Sequence, residues 1–245
     1  MRNPKTCYVC KNNITAYIPH LGGLKNVSEF IRNVDIIGSD VDNFKCPACG
    51  NHDRVRHLFM YFDALNLWQK MPGKNVLHIA PEDAISAKIL ENNPGEYIRG
   101  DVEPRNDSTM IIDVSAIPYG DNHFDMIICN HVLEHVDDYL KAFVEIYRVL
   151  KPTGFAILQT PVSRLLKSHF EDDAINSNEL RSYFYGATTH LRLFSEAHFL
   201  NELEEAGFAL EVIPHSRLFT DSDAEVFGVN KKENLIMVHK LCVKQ

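Results

Sequence analysis

The amino-acid sequence predicts an α/β fold, with a doubly wound, seven-stranded and mostly parallel sheet behind a small cysteine-rich N-terminal segment. From residue 73 onward, short apolar runs alternate with helical patterns. This alternation is typical of parallel strands that are joined by crossover helices. Two CxxC pairs, CYVC at 7–10 and CPAC at 46–49, precede the alternating region. A hydrophobic fraction of 45% is ordinary for a protein with a buried core.

The elements of the main body follow from its apolar runs and from the turn residues between them. Short apolar runs predict strands over 75–80, 96–101, 109–113, 124–130, 154–160, 208–214 and 234–242. Apolar residues three and four apart predict helices over 83–92, 137–150 and 195–206. The buried face of the helix over 137–150 is predicted to consist of Leu140, Phe143, Val144, Tyr147 and Leu150. Only a loop is expected between the last two strands, which should form an antiparallel pair at one edge of the sheet.

The four paired cysteines predict a structural zinc site. Cys7 and Cys10 form one pair, and Cys46 and Cys49 form the other. Two such knuckles together supply the four thiolates of a tetrahedral Zn²⁺ site, which leaves no position open for chemistry. The predicted role of this zinc is therefore to hold the fold together.

Three segments are expected along the chain. The CxxC pairs define a zinc-ribbon subdomain over 1–55, with an inserted loop or short helix near 27–33. A connecting helix over 56–72 follows, since apolar residues recur at helical spacing before MPGK ends the pattern. The main domain, 73–245, contains a polar insertion over 163–189 that is expected to arch over a site at the sheet edge.

Cysteine usage and hydropathy predict the compartment. The sequence starts without the apolar core of a signal peptide and has no apolar run of the ~18 residues that a membrane span needs. We therefore expect a cytoplasmic protein without a membrane span, in which thiols stay reduced. Cys129 and Cys242 stand singly in apolar runs and are expected to be small buried residues.

The charge distribution bears on the partners. The formal net charge is −8, with +3 on residues 1–70 and −11 on residues 71–245. An acidic body without a long Lys/Arg run attracts polyanions poorly, so nucleic acid is a disfavoured partner. A small-molecule or saccharide acceptor fits better.

Two longer stretches carry a family resemblance. FDMIICNHVLEHVDDYLKAFVEIYRVLKPTGFAILQTP, 124–161, resembles the fourth- and fifth-strand region of class I S-adenosylmethionine (SAM) dependent methyltransferases, in their methyltransferase-11-like branch. THLRLFSEAHFLNELEEAGF, 189–208, resembles the stretch before the sixth strand of that branch. Together with LHIAPE, the two CxxC pairs resemble the corresponding motifs in a subset of bacterial methyltransferases that have an N-terminal zinc ribbon. The resemblance implies a Rossmann-like sheet and SAM as cofactor.

The resemblance also implies where SAM binds. In such sheets the ligand lies beyond the carboxyl ends of the strands, where the strand order reverses. Asp101 would accept hydrogen bonds from both ribose hydroxyls, which a carboxylate can do. The ten positions assigned to the cofactor are His78, Ala80, Pro81, Glu82, Asp101, Val102, Asp113, Val114, Asn130 and His131.

The turn after the first strand of the sheet departs from the family pattern. Where the family has an acid and glycines, this chain has His78, Ala80, Glu82 and Ala84. We hypothesise that Glu82 supplies the carboxylate for the SAM ammonium group. The alternative is that Glu82 and Asp83 merely begin a helix with favourable negative charge.

Candidate catalytic and substrate residues are mostly histidines and aromatics. His131, at the end of the fourth strand, is predicted to act as base or orienter, together with His190. The predicted acceptor contacts are His135, Tyr183, Tyr185, His190 and Arg192. HVLEH at 131–135 also matches the HxxEH pattern of inverted zinc peptidases, but it follows a buried strand instead of lying within a long helix.

These features predict a SAM-dependent methyltransferase that acts on a small-molecule or saccharide acceptor. Two alternatives remain at this point: a catalytically weakened, zinc-binding scaffold and an RNA methyltransferase. The sequence names neither the acceptor nor the methylated atom nor the oligomeric state, and a SAM-binding fold can also support non-methylating chemistry.

Overall fold

The computed structural model describes residues 4–241, and Cys242 with the end of the predicted last strand lies outside them. The strands are β1 (Lys5–Thr6), β2 (Asn13–Ile14), β3 (Ile36–Ile37), β4 (Asn75–Ile79), β5 (Glu96–Asp101), β6 (Met110–Ile111), β7 (Phe124–Asn130), β8 (Leu150–Gln159), β9 (Val162–Ser163), β10 (Phe194–Ser195), β11 (Phe208–Ile213) and β12 (Leu235–Lys240). The α-helices are α1 (Glu29–Asn33), α2 (Asp53–Ala64), α3 (Asp83–Glu91), α4 (Tyr139–Val149), α5 (Asn178–Tyr185), α6 (Glu196–Glu205), α7 (His215–Leu218) and α8 (Asp221–Phe227). Short 3-10 turns lie at His20–Gly22, Leu24–Asn26, Trp68–Lys70 and Leu133–His135.

Seven strands form the main sheet, in the order β11-β12-β8-β7-β4-β5-β6. β12 runs antiparallel to both of its neighbours, and the other pairs are parallel. The predicted fold class is therefore confirmed, as is the antiparallel pair at one edge. The expected loop between the last two strands was wrong, because α7 and α8 occupy that connection. The strand order reverses between β4 and β7, which is where such sheets bind their ligands.

Helices cover both faces of this sheet. On one face α4 and α6 bury Phe143, Ile146, Phe199 and Leu203 in one hydrophobic cluster. On the other face α2 and α3 contribute Phe62, Ile85 and Ile89 to a second cluster. Among residues 4–241, no helix combines the length and the apolar character that crossing a bilayer requires.

The predicted buried face of α4 was partly wrong. Its buried residues are Ala142, Phe143, Ile146 and Val149, whereas Leu140 and Val144 are 48% and 60% exposed. The α4 sequence carries two overlapping apolar stripes at helical spacing, and the position of the helix on the sheet decides which one is buried.

Strand pairing and a buried arginine are among the contacts that attach the N-terminal segment to the main sheet body. β3 pairs with β9, so the chain between the two CxxC pairs joins a small sheet with the start of the polar insertion. The buried Arg56 guanidinium donates hydrogen bonds to the carbonyl oxygens of Asn43, Phe44 and Asn51 on one side. It donates to those of Phe227 and Gly228 on the other. Five such bonds from one side chain fix the cysteine-rich segment against the end of α8.

Candidate functional site

A cavity of about 720 Å³ opens at the carboxyl ends of β4, β5 and β7. Six of the ten predicted cofactor residues line this first cavity: Ala80, Pro81, Glu82, Asp101, Asn130 and His131. The cysteine-rich segment and α2 supply the opposite wall, which the sequence did not indicate. That wall includes Lys45, Asn51, His52 and Arg54.

The other four predicted cofactor residues are not brought to the cavity wall. His78 and Val114 are fully buried in the fold. Val102 is exposed on the surface after β5, and Asp113 accepts hydrogen bonds from the amide and hydroxyl of Ser115.

The glycine-poor turn after β4 is built around Glu82. Ala80 takes the left-handed conformation, with φ of 48°, in which a glycine is usual. The Glu82 carboxylate bonds to His78 Nε2 at 2.7 Å and accepts from Asn130 Nδ2 at 2.6 Å. Burial raises the pKa of Glu82, but the hydrogen bonds with His78 and Asn130 outweigh burial and hold the pKa below its usual range. Glu82 is thus ionised in the cavity wall, and its hydrogen bond with the buried His78 fixes the position of the carboxylate.

Asp101 ends β5 at the rim of the same cavity. Its Oδ1 accepts the Glu103 backbone amide at 3.0 Å, whereas Oδ2 makes no hydrogen bond within the described residues. The second oxygen is therefore available to accept a hydroxyl of a bound ligand.

His131 follows β7 in a strained backbone conformation, with φ of 55°. Its Nε2 lies 2.9 Å from Glu233 Oε1, and its Nδ1 lies 3.5 Å from Glu134 Oε1. Burial and Arg54 lower the pKa of His131, but the two carboxylates outweigh them and raise it above its usual value. A raised pKa suits orientation and hydrogen-bond donation by His131 better than proton abstraction.

A chain of buried polar groups continues from His131 into the protein. Glu233 Oε2 lies 3.3 Å from His57 Nδ1, and His57 Nε2 lies 2.9 Å from His215 Nδ1. These residues come from α2, α7 and the segment before β12, far apart in the sequence. No local pattern in the sequence indicates this network, because its members lie far apart along the chain.

A second cavity, of about 570 Å³, lies on the far side of His131 and Arg54, which line both cavities. Three predicted acceptor residues line it: His135, Tyr185 and His190. Leu24, Val27, Ile31, Ile36, Val41 and Phe44, from the chain between the CxxC pairs, add an apolar surface.

Two predicted acceptor residues do not reach the second cavity. Tyr183 is 46% exposed at the surface of α5. Arg192 is buried, and its guanidinium donates to the Glu171 carboxylate and to the Val136 and Asp137 carbonyl oxygens. Arg192 therefore holds the chain before α4 in place and is not available to a ligand.

The four cysteine sulfurs lie together, all within 4.8 Å of one another. Cys7 Sγ is 3.7 Å from Cys49 Sγ, and Cys10 Sγ is 4.0 Å from Cys46 Sγ. A zinc tetrahedron with Zn–S bonds of about 2.3 Å places sulfurs about 3.8 Å apart. The observed spacing fits that geometry.

The two knuckles repeat one backbone pattern. Asn12 and Asn51 each lie five residues after the first cysteine of their pair, and their carbonyl oxygens accept the Cys7 and Cys46 amides. Their side-chain amides donate to Cys10 Sγ and Cys49 Sγ. Donors aimed at sulfur stabilise thiolates, which supports a metal site.

Comparison with known proteins identifies the family. Residues 49–212, more than half of the chain, match the model of the methyltransferase domain family. The chain therefore belongs to the methyltransferase domain family, and its seven-stranded sheet is that of class I SAM-dependent methyltransferases.

Individual relatives agree with this assignment. The chain is 32% identical over 130 residues to malonyl-[acyl-carrier protein] O-methyltransferase of Gallionella capsiferriformans, covering 52% of this chain and 41% of that protein. It is 24% identical over 159 residues to demethylmenaquinone methyltransferase of Corynebacterium glutamicum, covering 56% and 69%. A SAM-dependent methyltransferase from Mesorhizobium loti superposes with a TM-score of 0.54 at 14% identity, covering 74% and 98%, which shows a shared fold.

Proposed function

We propose that the protein transfers a methyl group from SAM, bound in the first cavity, to a small-molecule acceptor in the second. The observation that carries this proposal is the shared wall: His131 and Arg54 border both cavities. Because the same two side chains border both cavities, the cavities adjoin, and displacement at a sulfonium requires a donor and an acceptor in such neighbouring sites.

The residues of the first cavity suit the parts of SAM. Asp101 has a free carboxylate oxygen for a ribose hydroxyl, and Glu82 offers an ionised carboxylate for the ammonium group. When bound, SAM supplies an electrophilic methyl group. The chain's own residues orient the two ligands, and His131, held between two carboxylates, is fixed at the junction of the cavities.

The second cavity supports a small acceptor with an apolar part. Its volume lies in the range of ligand pockets. Its apolar side chains come from the chain between the CxxC pairs, and its histidines come from the main domain. This lining is less suited to a bare saccharide than to an acceptor that combines apolar and polar groups.

We further propose that Cys7, Cys10, Cys46 and Cys49 hold one structural Zn²⁺. The sulfur spacing and the paired asparagine donors support this assignment. By fixing the two knuckles, the ion would hold the chain between them, which forms part of both cavities.

Calorimetric titration with S-adenosylhomocysteine tests the proposed cofactor site, with ATP as the matched control ligand. We expect one S-adenosylhomocysteine per chain and no comparable affinity for ATP. Methyl transfer is then assayed with methyl-labelled SAM against carboxylate, phenol and quinol acceptors. If neither SAM nor S-adenosylhomocysteine binds at millimolar concentration, the proposal is wrong and a scaffold role takes its place.

A further inference from the structure

Glu134, His135 and His190 form a second cluster of possible metal ligands, separate from the four cysteines. One donor atom from each of the three residues lies within 4.8 Å of the other two. Glu134 and His135 belong to the 3-10 turn that follows β7, and His190 follows the polar insertion. Both histidines line the second cavity, and Glu134 is buried.

One ring nitrogen of each histidine is already bound to the backbone. His190 Nδ1 lies 2.9 Å from the Tyr185 carbonyl oxygen, and His135 Nδ1 lies 3.1 Å from that of Thr189. A carbonyl oxygen can only accept a hydrogen bond, so Nδ1 carries the proton in both rings. In each neutral imidazole, Nε2 then presents a lone pair.

Both Nε2 atoms face the same carboxylate oxygen. Glu134 Oε1 lies 3.9 Å from Nε2 of His135 and 3.9 Å from Nε2 of His190. Within residues 4–241 this buried oxygen makes no hydrogen bond, although His131 Nδ1 is within ion-pair distance at 3.5 Å. Three electron-pair donors therefore converge on one point, and a metal ion there could bind all three, while the His131 ring remains on another side of the carboxylate.

A similar cluster elsewhere in the protein shows the opposite arrangement. His169 Nδ1 accepts the Ser195 amide, so its Nε2 carries the proton and donates to Glu202 at 2.8 Å. His198 Nε2 lies 3.2 Å from the other oxygen of the same carboxylate. The cluster of His169, His198 and Glu202 is thus satisfied by its own hydrogen bonds and needs no ion.

We propose that Glu134, His135 and His190 bind a divalent transition-metal ion, with Zn²⁺, Fe²⁺ and Mn²⁺ as candidates. Two imidazoles and one carboxylate suit such ions, and the carbonyl partners of Nδ1 are the usual support of metal-bound histidines. With bonds of about 2.1 Å, tetrahedral ligand atoms lie about 3.4 Å apart. The 3.9 Å separations therefore need to close by only about 0.5 Å on binding.

The position of the ion indicates the class of acceptor, an inference that rests on the proposed function. Three protein ligands leave coordination positions open, as in catalytic metal sites, and these positions border the second cavity. An acceptor hydroxyl, enol or carboxylate oxygen can bind there, and the ion lowers the pKa of a hydroxyl that does so. The hydroxyl proton leaves to water, the new O–C bond forms, and the electron pair of the broken S–C bond stays on sulfur.

The test is to measure how many metal ions the purified protein binds per chain, without SAM. The protein is loaded anaerobically with Zn²⁺, Fe²⁺ or Mn²⁺ in turn, desalted and measured by elemental mass spectrometry. We expect two metal equivalents per chain for the wild type with at least one ion. We expect one equivalent for His135→Ala and for His190→Ala, and two for the matched control His198→Ala.

His135 is partly exposed, so removing its side chain leaves the core intact and keeps the test independent of folding. A wild type that never exceeds one equivalent overturns the proposal, as does a His135→Ala variant that keeps two. Because no adenosyl ligand is present, this result is independent of the calorimetric test of the SAM site. A wild type that never exceeds one metal equivalent but binds S-adenosylhomocysteine normally would refute the second metal site and leave the methyltransferase proposal standing.

Discussion

Replacing Glu82 with glutamine tests the proposed contact between the Glu82 carboxylate and the SAM ammonium group. The Glu82 carboxylate is 21% exposed at the cavity wall and is held by His78 and Asn130. Glutamine keeps the shape of the side chain and removes its charge. A hydrogen bond to a charged group is worth about 1.5–3 kcal/mol, so losing the contact with the SAM ammonium should weaken binding about 10- to 150-fold.

Two ligands separate this effect from a general disturbance of the turn. S-adenosylhomocysteine carries the ammonium group, whereas methylthioadenosine lacks the whole amino-acid portion. For Glu82→Gln we expect the loss of affinity for S-adenosylhomocysteine in calorimetry, and a change of less than about threefold for methylthioadenosine. The control is Glu91→Gln, at the exposed end of α3, where the carboxylate pairs with Lys88.

The outcome can refute the reasoning in two ways. An unchanged affinity for S-adenosylhomocysteine means that Glu82 does not contact the ammonium group. An equal loss for both ligands means that Glu82 only shapes the turn, as the hydrogen bond to His78 would allow. Thermal unfolding of the variant, compared with Glu91→Gln, shows whether the fold itself has changed.

Three further predictions concern zinc content and stability. Cys46→Ser should lose the zinc bound by the four cysteines, as measured by elemental mass spectrometry. The control Cys129→Ala, in which the replaced side chain is buried in β7, should keep it. Equal zinc contents in the two variants would refute the four-cysteine site. Arg56→Lys should lower the free energy of unfolding, measured in urea, by about 2–5 kcal/mol. The reason is that lysine has three donors for five carbonyl oxygens. A decrease of less than about 1 kcal/mol would contradict this prediction. Burial, reinforced by Glu233, raises the pKa of Asp53 to about 7. The native state therefore binds the extra proton, and the free energy of unfolding should fall by up to about 4 kcal/mol between pH 4 and pH 7. Asp53→Asn should reduce this pH dependence of the free energy of unfolding, measured in urea. An unchanged pH dependence would mean that another group causes it.

The sheet was predictable because its elements depend on local patterns. Apolar runs and turn residues located all seven main strands, and the CxxC pairs located the cysteine cluster. The buried face of α4 was not predictable from the sequence, because its sequence has two overlapping apolar stripes. Only the packing of the helix against the sheet determines which stripe is buried. The same holds for Arg192, whose partners Glu171 and Val136 are brought together only by the tertiary fold.

Part of the site was beyond sequence reasoning because it is built across the chain. His131, Glu233 and His57 come from positions more than 70 residues apart and meet only in the folded protein. The motif HVLEH likewise matches a single helical metal site, yet in the structure its members have partners from distant parts of the chain. His131 lies between Glu134 and Glu233, and Glu134 and His135 lie close to His190.

The cysteine-rich segment lines both cavities of the candidate site. Asn51 and His52 follow the second knuckle directly and line the first cavity, and the chain between the knuckles lines the second. Arg54, in the shared wall, lies in the first turn of α2, five residues after Cys49. All of these groups lie between the two cysteine pairs or within five residues after the second pair. A structural ion at that site would therefore act on ligand binding through the cavity walls, without touching either ligand.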